Sequence, residues 1–221
     1  MYEDLMRCRI KICCIASVDE AKLAIAHGAS AVGLVSEMPS GPGVIDEPTI
    51  ARVAAIVPPG VDSFLLTSLT DPEAIIAQHG RCRTSTLQLC DRLPEGAHRL
   101  LRKALPGIRL VQAIHVDGDE SLAEARAIAP AVDAILLDSG NQALAVKELG
   151  GTGRVHDWTV SRRIRDAIEK PLYLAGGLNA NNVGDATRQV QPFGLDLCSS
   201  VRTNGALDAS KLAAFMRAVQ S

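Results

Sequence analysis

Short apolar runs alternate with helix-like stretches along the whole chain, and this alternation constrains the fold more than any other feature. The runs fall at residues 9–14, 31–36, 61–67, 84–90, 109–115, 132–138, 171–175 and 194–198. Between them lie helical patterns that carry their own start signals. Ser17 with Glu20 three residues on, Asp46 before Glu47-Pro48, Asp71 before Pro72-Glu73 and Asp157 before Trp158 are N-cap arrangements. Gly28 marks the stop of the first helix, expected over 17–27. Further helices are expected at about 94–104, 120–129, 158–168, 179–190 and 207–219. Such alternation is the signature of repeated βα units and a parallel sheet. Eight units in 221 residues fit a compact α/β fold, the (β/α)8 TIM barrel, as one domain spanning 1–221. A doubly wound open sheet alternates in the same way but usually has five or six strands.

Composition narrows the partners. The formal charge of −2 gives no electrostatic case for nucleic acid, and no apolar run approaches the ~20 residues that span a bilayer. The acidic start Met1-Tyr2-Glu3-Asp4 does not read as a secretory signal, so a cytoplasmic chain is expected, without nucleic-acid or membrane partners. In that compartment the six cysteines are expected to stay thiols, without a disulfide framework. Only 3% of residues are aromatic, so Ala, Val, Ile and Leu must fill the core.

In a barrel of this kind chemistry sits at the C-terminal ends of the strands. The first strand ends Lys11-Ile12-Cys13-Cys14. Alternation puts Lys11 and Cys13 on one face and Ile10, Ile12 and Cys14 on the other, so Lys11 and Cys13 are expected to point into the barrel. An ammonium beside a thiol favours the thiolate, as a base or nucleophile requires. Equally, Cys13 reads as a small buried hydrophobe. The sixth strand ends Ile135-Leu136-Leu137-Asp138, which delivers a carboxylate either to the pocket as a functional acid or to the next loop as a cap.

Three turns point to an anion. Gly150-Gly151-Thr152-Gly153 precedes the sixth helix, Gly176-Gly177 follows the seventh strand and Ser199-Ser200 follows the eighth. Glycine permits close backbone approach, and the loops after strands seven and eight are the usual phosphate site of such barrels. A metal site from Cys13, Cys90, His115 and Asp138 is the weaker reading, because no pair has the close spacing of a structural zinc site.

Taken in order, Lys11-Ile12-Cys13, Gln88-Leu89, Leu136-Leu137-Asp138, Gly150-Gly151-Thr152-Gly153, Asp157-Trp158, Leu174-Ala175-Gly176-Gly177-Leu178-Asn179 and the stretch from Asp196 to Ser200 resemble the phosphoribosylanthranilate isomerase family, barrel enzymes of tryptophan biosynthesis. The resemblance implies an Amadori rearrangement of a phosphorylated ribose-type substrate, N-(5-phosphoribosyl)anthranilate, with no cofactor and no metal. It makes Asp138 the acid that opens the furanose ring and Cys13 the base that removes the C2 proton. It also implies phosphate held by Gly153, Gly176, Gly177, Ser199 and Ser200, substrate contacts from Lys11, Gln88 and Thr152, and a monomer or homodimer.

The chain departs from the family pattern at several points. Cys14 stands where the family usually has glycine, Cys90-Asp91 replaces His-Gly, and Val201-Arg202 replaces Gly-Val after the serines. The segment Pro39-Ser40-Gly41-Pro42-Gly43-Val44 lacks the arginine that pairs with the anthranilate carboxylate in the family. A charge-assisted hydrogen bond of about 1.5–3 kcal/mol is thereby missing. Either Arg202 or Arg154 supplies it, or the chain is a divergent paralogue acting on a different phosphorylated sugar.

Overall fold

The computed structural model describes residues 8–140, 147–149 and 155–220. Eight parallel strands, β1 (Arg9–Ile12), β2 (Ala31–Val35), β3 (Asp62–Thr67), β4 (Thr86–Leu89), β5 (Arg109–His115), β6 (Ala134–Asp138), β7 (Leu172–Leu174) and β8 (Gly194–Leu197), close into a barrel in chain order. The helices α1 (Val18–Ala26), α2 (Glu47–Ala54), α3 (Pro72–Cys82), α4 (Ala97–Ala104), α5 (Asp119–Ile128), α6 (Trp158–Ala167), α7 (Val183–Val190) and α8 (Ala209–Gln220) alternate with them. Closure is made by β1 against β8, in the register Lys11 to Asp196. No described helix is long and apolar enough to cross a membrane.

Strand alternation divides the core into two layers. Ile10, Ile12, Leu34, Leu65, Leu87 and Leu137 pack against the helices. Val35, Phe64, Leu66, Val111, Leu136 and Tyr173 fill the barrel interior. Half of the chain's six aromatic residues gather on that inner side. Tyr173 makes edge-to-face contacts with Phe64 and Phe193, at centroid distances of 5.9 and 5.5 Å. These rings plug one end of the barrel and leave the other for chemistry.

The caps act as the sequence predicts at α1, α2, α3 and α6. Ser17, Asp46, Asp71 and Asp157 each accept a hydrogen bond from a first-turn amide. Two helices start three or more residues later than expected. α4 begins at Ala97, because Gly96 adopts φ +80° and Ala97 N–H donates to the Pro94 carbonyl in a turn. α7 begins at Val183, because Asn179 and Asn182 draw residues 179–182 into side-chain-bonded turns: Asn182 Oδ1 accepts from Asn179 N–H at 2.8 Å, and Asn179 Oδ1 from Asn181 N–H at 2.9 Å.

Candidate active site

A pocket opens at the C-terminal ends of the strands, and its wall includes Cys13, Asp138, Gly176, Gly177, Ser199 and Ser200. Cys13 lies just past β1, its N–H donating to the Leu197 carbonyl at 2.7 Å. Space for its sulfur comes from Gly33 on the neighbouring strand. A Cβ at Gly33 would lie 2.8 Å from Cys13 Sγ and 3.2 Å from Lys11 Cε. Asp138 ends β6, and its Oδ1 accepts from Ser139 N–H at 2.7 Å.

Lys11 does face the interior, but it lies beneath the pocket rather than in its wall. It is 0% exposed, and its Nζ donates to Asp196 Oδ2 at 2.7 Å with the ring of Phe64 5.3 Å away. Burial disfavours the ammonium, yet the Asp196 carboxylate, with smaller help from Cys13 and Cys90, outweighs it and raises the lysine's pKa, so the charge is kept. Asp196 is pushed up by burial and held back by Lys11. Its other oxygen, Oδ1, is buried without a partner among the described residues, and Asp196 lines the pocket. An unpartnered buried carboxylate oxygen is costly unless a ligand donates to it.

The expectation that Lys11 favours the Cys13 thiolate needs correction. Burial lifts the thiol's pKa to about 11, and the lowering by Lys11 offsets this only in part because Asp196 opposes it. Cys90, a second buried thiol in the wall, is raised to about 12 by burial and by Cys13. Gln88 also lines the pocket, with its Nε2 3.8 Å from Cys90 Sγ.

Two further expectations change. Cys14 does not continue the alternation: its φ of +60° lies in the left-handed region, and its side chain joins the inner layer. There it forms a disulfide with Cys198, across a Cα–Cα distance of 5.9 Å. The six cysteines are therefore not all thiols; Cys8, Cys13, Cys82 and Cys90 are free. Nor is Arg202 available as a carboxylate's partner. Its guanidinium is bound to both oxygens of Glu20 at 3.0 Å and to the Cys14 carbonyl.

At the turns expected to hold phosphate, Gly176 and Gly177 take φ of +82° and +63°, a path that favours glycine. The Gly177 carbonyl accepts from Asn179 and Asn182 side-chain amides at 3.2 and 3.0 Å. Ser200 Oγ is buried with no partner among the described residues, as a group awaiting an anion would be. Gly150, Gly151, Thr152, Gly153 and Arg154 lie outside the described residues. Among those described, no group of three or more His, Cys, Asp or Glu is arranged to hold a metal.

A sequence profile described as N-(5'phosphoribosyl)anthranilate (PRA) isomerase matches residues 10–218. The chain belongs to the phosphoribosylanthranilate isomerase family. Among its relatives, the N-(5'-phosphoribosyl)anthranilate isomerase of Halobacterium salinarum is 35% identical, with 94% of each chain covered. N-(5'-phosphoribosyl)anthranilate isomerase 2 of Methanosarcina mazei is 34% identical over 94% of this chain and 92% of that one. The crystal structure of the Thermotoga maritima phosphoribosyl anthranilate isomerase superposes with a TM-score of 0.81 at 28% identity, covering 96% of this chain and 98% of that one. A phosphoribosyl anthranilate isomerase in complex with reduced 1-(o-carboxyphenylamino)-1-deoxyribulose 5-phosphate gives 0.78 at 27% identity, with the same coverage.

Within this isomerase barrel, Cys13, Asp138, Gly176, Gly177, Ser199 and Ser200, all singled out from sequence, come together around one pocket, whereas Lys11 does not line it. Asp196 escaped the sequence reading as a site residue. Its signal was present: a lysine on the inner face of a barrel strand needs an acidic partner, and Asp196 lies on the closing strand.

Proposed function

We propose that the protein catalyses the Amadori rearrangement of N-(5-phosphoribosyl)anthranilate in tryptophan biosynthesis, as a cytoplasmic monomer or homodimer that needs no cofactor. The observation that carries this reading is that Cys13 and Asp138 line one pocket with Gly176, Gly177, Ser199 and Ser200. Asp138 donates a proton to the furanose ring oxygen, the C1–O bond breaks and the ring opens to an iminium. Cys13 as thiolate then takes the C2 proton, giving an enolamine. Return of a proton to C1, with loss of the C2 hydroxyl proton, gives the 1-deoxyribulose product, so atoms balance without an oxidant. Acid and base act at separate atoms of the sugar, which requires two groups on different parts of the wall. The Gly176–Gly177 and Ser199–Ser200 turns, with Gly153, hold the phosphate that fixes the sugar between them, and Gln88 and Thr152 add substrate contacts.

Purified protein is expected to turn over N-(5-phosphoribosyl)anthranilate in vitro, and Cys13→Ala and Asp138→Ala are each expected to lower kcat by about 10²–10⁴ with the melting transition intact. An inactive wild type would end the anthranilate reading.

One observation favours a second reading, that a different phosphorylated sugar is the substrate. Among the described residues, no lysine or arginine lines the pocket, and the wall after β2 is Met38, Ser40, Gly41 and Pro42. Turnover of a ribose phosphate lacking the aromatic acid, with none of the anthranilate compound, would select it.

A further inference from the structure

The Cys14–Cys198 bond joins two points that the pocket depends on separately. Cys14 is the residue after the proposed base, and Cys198 directly precedes the Ser199–Val201 turn that carries the phosphate-side serines. The two are 184 residues apart in sequence and meet only because β1 closes the barrel against β8. Three segments converge on Cys14. Arg202 donates to its carbonyl, Cys198 bonds its sulfur, and a Cβ at Gly43 would come within 2.9 Å of its Cα. The bond therefore links the β1 end to the phosphate turn, at a point where the loop after β2 packs against Cys14.

Its sulfurs are also reachable. Both cysteines line the pocket; Cys14 is buried, whereas Cys198 is partly exposed. A disulfide in a reducing compartment is typically transient or redox-sensing rather than a permanent staple.

We propose that Cys14–Cys198 is a reversible redox clasp on the phosphate side of the pocket, closed as the disulfide for ligand binding and opened by a dithiol. A dithiol's thiolate attacks Cys198 Sγ, the S–S bond breaks, and Cys14 leaves as a thiolate that takes up a proton. The second thiol of the reductant then attacks the mixed disulfide and releases Cys198 as a thiol. Two electrons and two protons pass to the protein, and the reductant leaves as its own disulfide. The turn at Ser199–Val201 then loses its covalent tether to the β1 end and keeps only hydrogen bonds such as that from Arg202 to the Cys14 carbonyl. This rests on the reading that Ser199 and Ser200 hold the ligand's phosphate.

The test uses the full chain, air-oxidised or treated with dithiothreitol, with inorganic phosphate and ribose 5-phosphate as calorimetric probes. Aliquots are acid-quenched, denatured and alkylated, and thiols are counted by intact mass. Four alkylated cysteines are expected before reduction and six after it. Affinity for both probes is expected to fall about tenfold on reduction, as a pre-organised turn becomes one that must be ordered by its ligand, and to return on reoxidation. Cys198→Ser is expected to bind weakly in either state. Six thiols in the oxidised protein, or unchanged affinity after full reduction, would overturn the clasp. If Cys198→Ser does not fold, the oxidised and reduced wild type decide the matter alone. Redox-dependent phosphate binding without anthranilate turnover would remove the proposed substrate and leave the clasp; turnover with redox-independent binding would do the reverse.

Discussion

At Cys13 burial and the Lys11 ammonium pull the thiol in opposite directions, and burial prevails, at a pKa of about 11. The proposed base therefore rests as a thiol, and the thiolate is a minor species near neutrality. Below the pKa its fraction grows about tenfold per pH unit, so kcat/KM is expected to rise with unit slope between about pH 7 and 9. A plateau beginning near neutrality would mean that Cys13 is not the titrating base. The same residue depends on a missing side chain. Gly33→Ala would drive a methyl group against Cys13 Sγ, and overpacking of this kind costs about 1–3 kcal/mol. Lower kcat together with a lower denaturant midpoint is expected, and an unchanged enzyme would show that the thiol has room to move. Alternation alone put Lys11 and Cys13 on the inner face. It could not show that Lys11 is already engaged, because its partner Asp196 is 185 positions away and is found only by closing the barrel.

At the scale of elements, α1 shows how a motif legible in sequence can do something different in the fold. Ser17 and Glu20 read as a capping box, and Ser17 Oγ does accept from Glu20 N–H at 3.2 Å. The Glu20 carboxylate does not return to the Ser17 amide. It accepts from Ala16 N–H and Leu207 N–H and pairs with Arg202, tying α1 to the segment after β8. Burial would raise the pKa of Glu20, but Arg202 and the two backbone amides outweigh it and leave it lowered. A carboxylate with a depressed folded pKa contributes stability that is present above its unfolded value, about 4.3, and is lost as pH falls through the folded value. Glu20→Gln is expected to lower the melting temperature at neutral pH and to shrink the gap from wild type as the pH falls below about 4. A gap independent of pH would show that the carboxylate's charge is not what matters. The late starts of α4 and α7 were hidden for a local reason: glycine and asparagine side-chain turns imitate the beginnings of helices.

For the whole molecule, the barrel was legible because each βα unit repeats the same signals, and eight repeats leave few other ways to bury the strands. The disulfide was not, since closure alone decides which cysteines meet. That closure has an energetic consequence. A cross-link over 184 residues restricts the unfolded chain strongly, by about 5 kcal/mol at 25 °C in the chain-entropy account and about 2–5 kcal/mol in measured cases. Denaturant titration with and without dithiothreitol is expected to show a loss in that range. No loss would mean that the reduced ends of β1 and β8 hold together without the bond.

The pocket wall is unusually rich in one element. Cys13, Cys14, Met38, Cys90 and Cys198 each bring sulfur to it. Sulfur is soft and polarisable, and a contact with the edge of an aromatic ring contributes about 0.3–1.5 kcal/mol. On the proposed reading, where no described cation waits for the substrate's carboxylate, the sulfurs of Met38 and Cys90, apart from the base and the phosphate turns, can still grip its benzene ring through dispersion. On that reading recognition divides by physical kind, with hydrogen bonding at the phosphate and polarisability at the ring. A competing phosphate anion would then displace the first contact and leave the second in place.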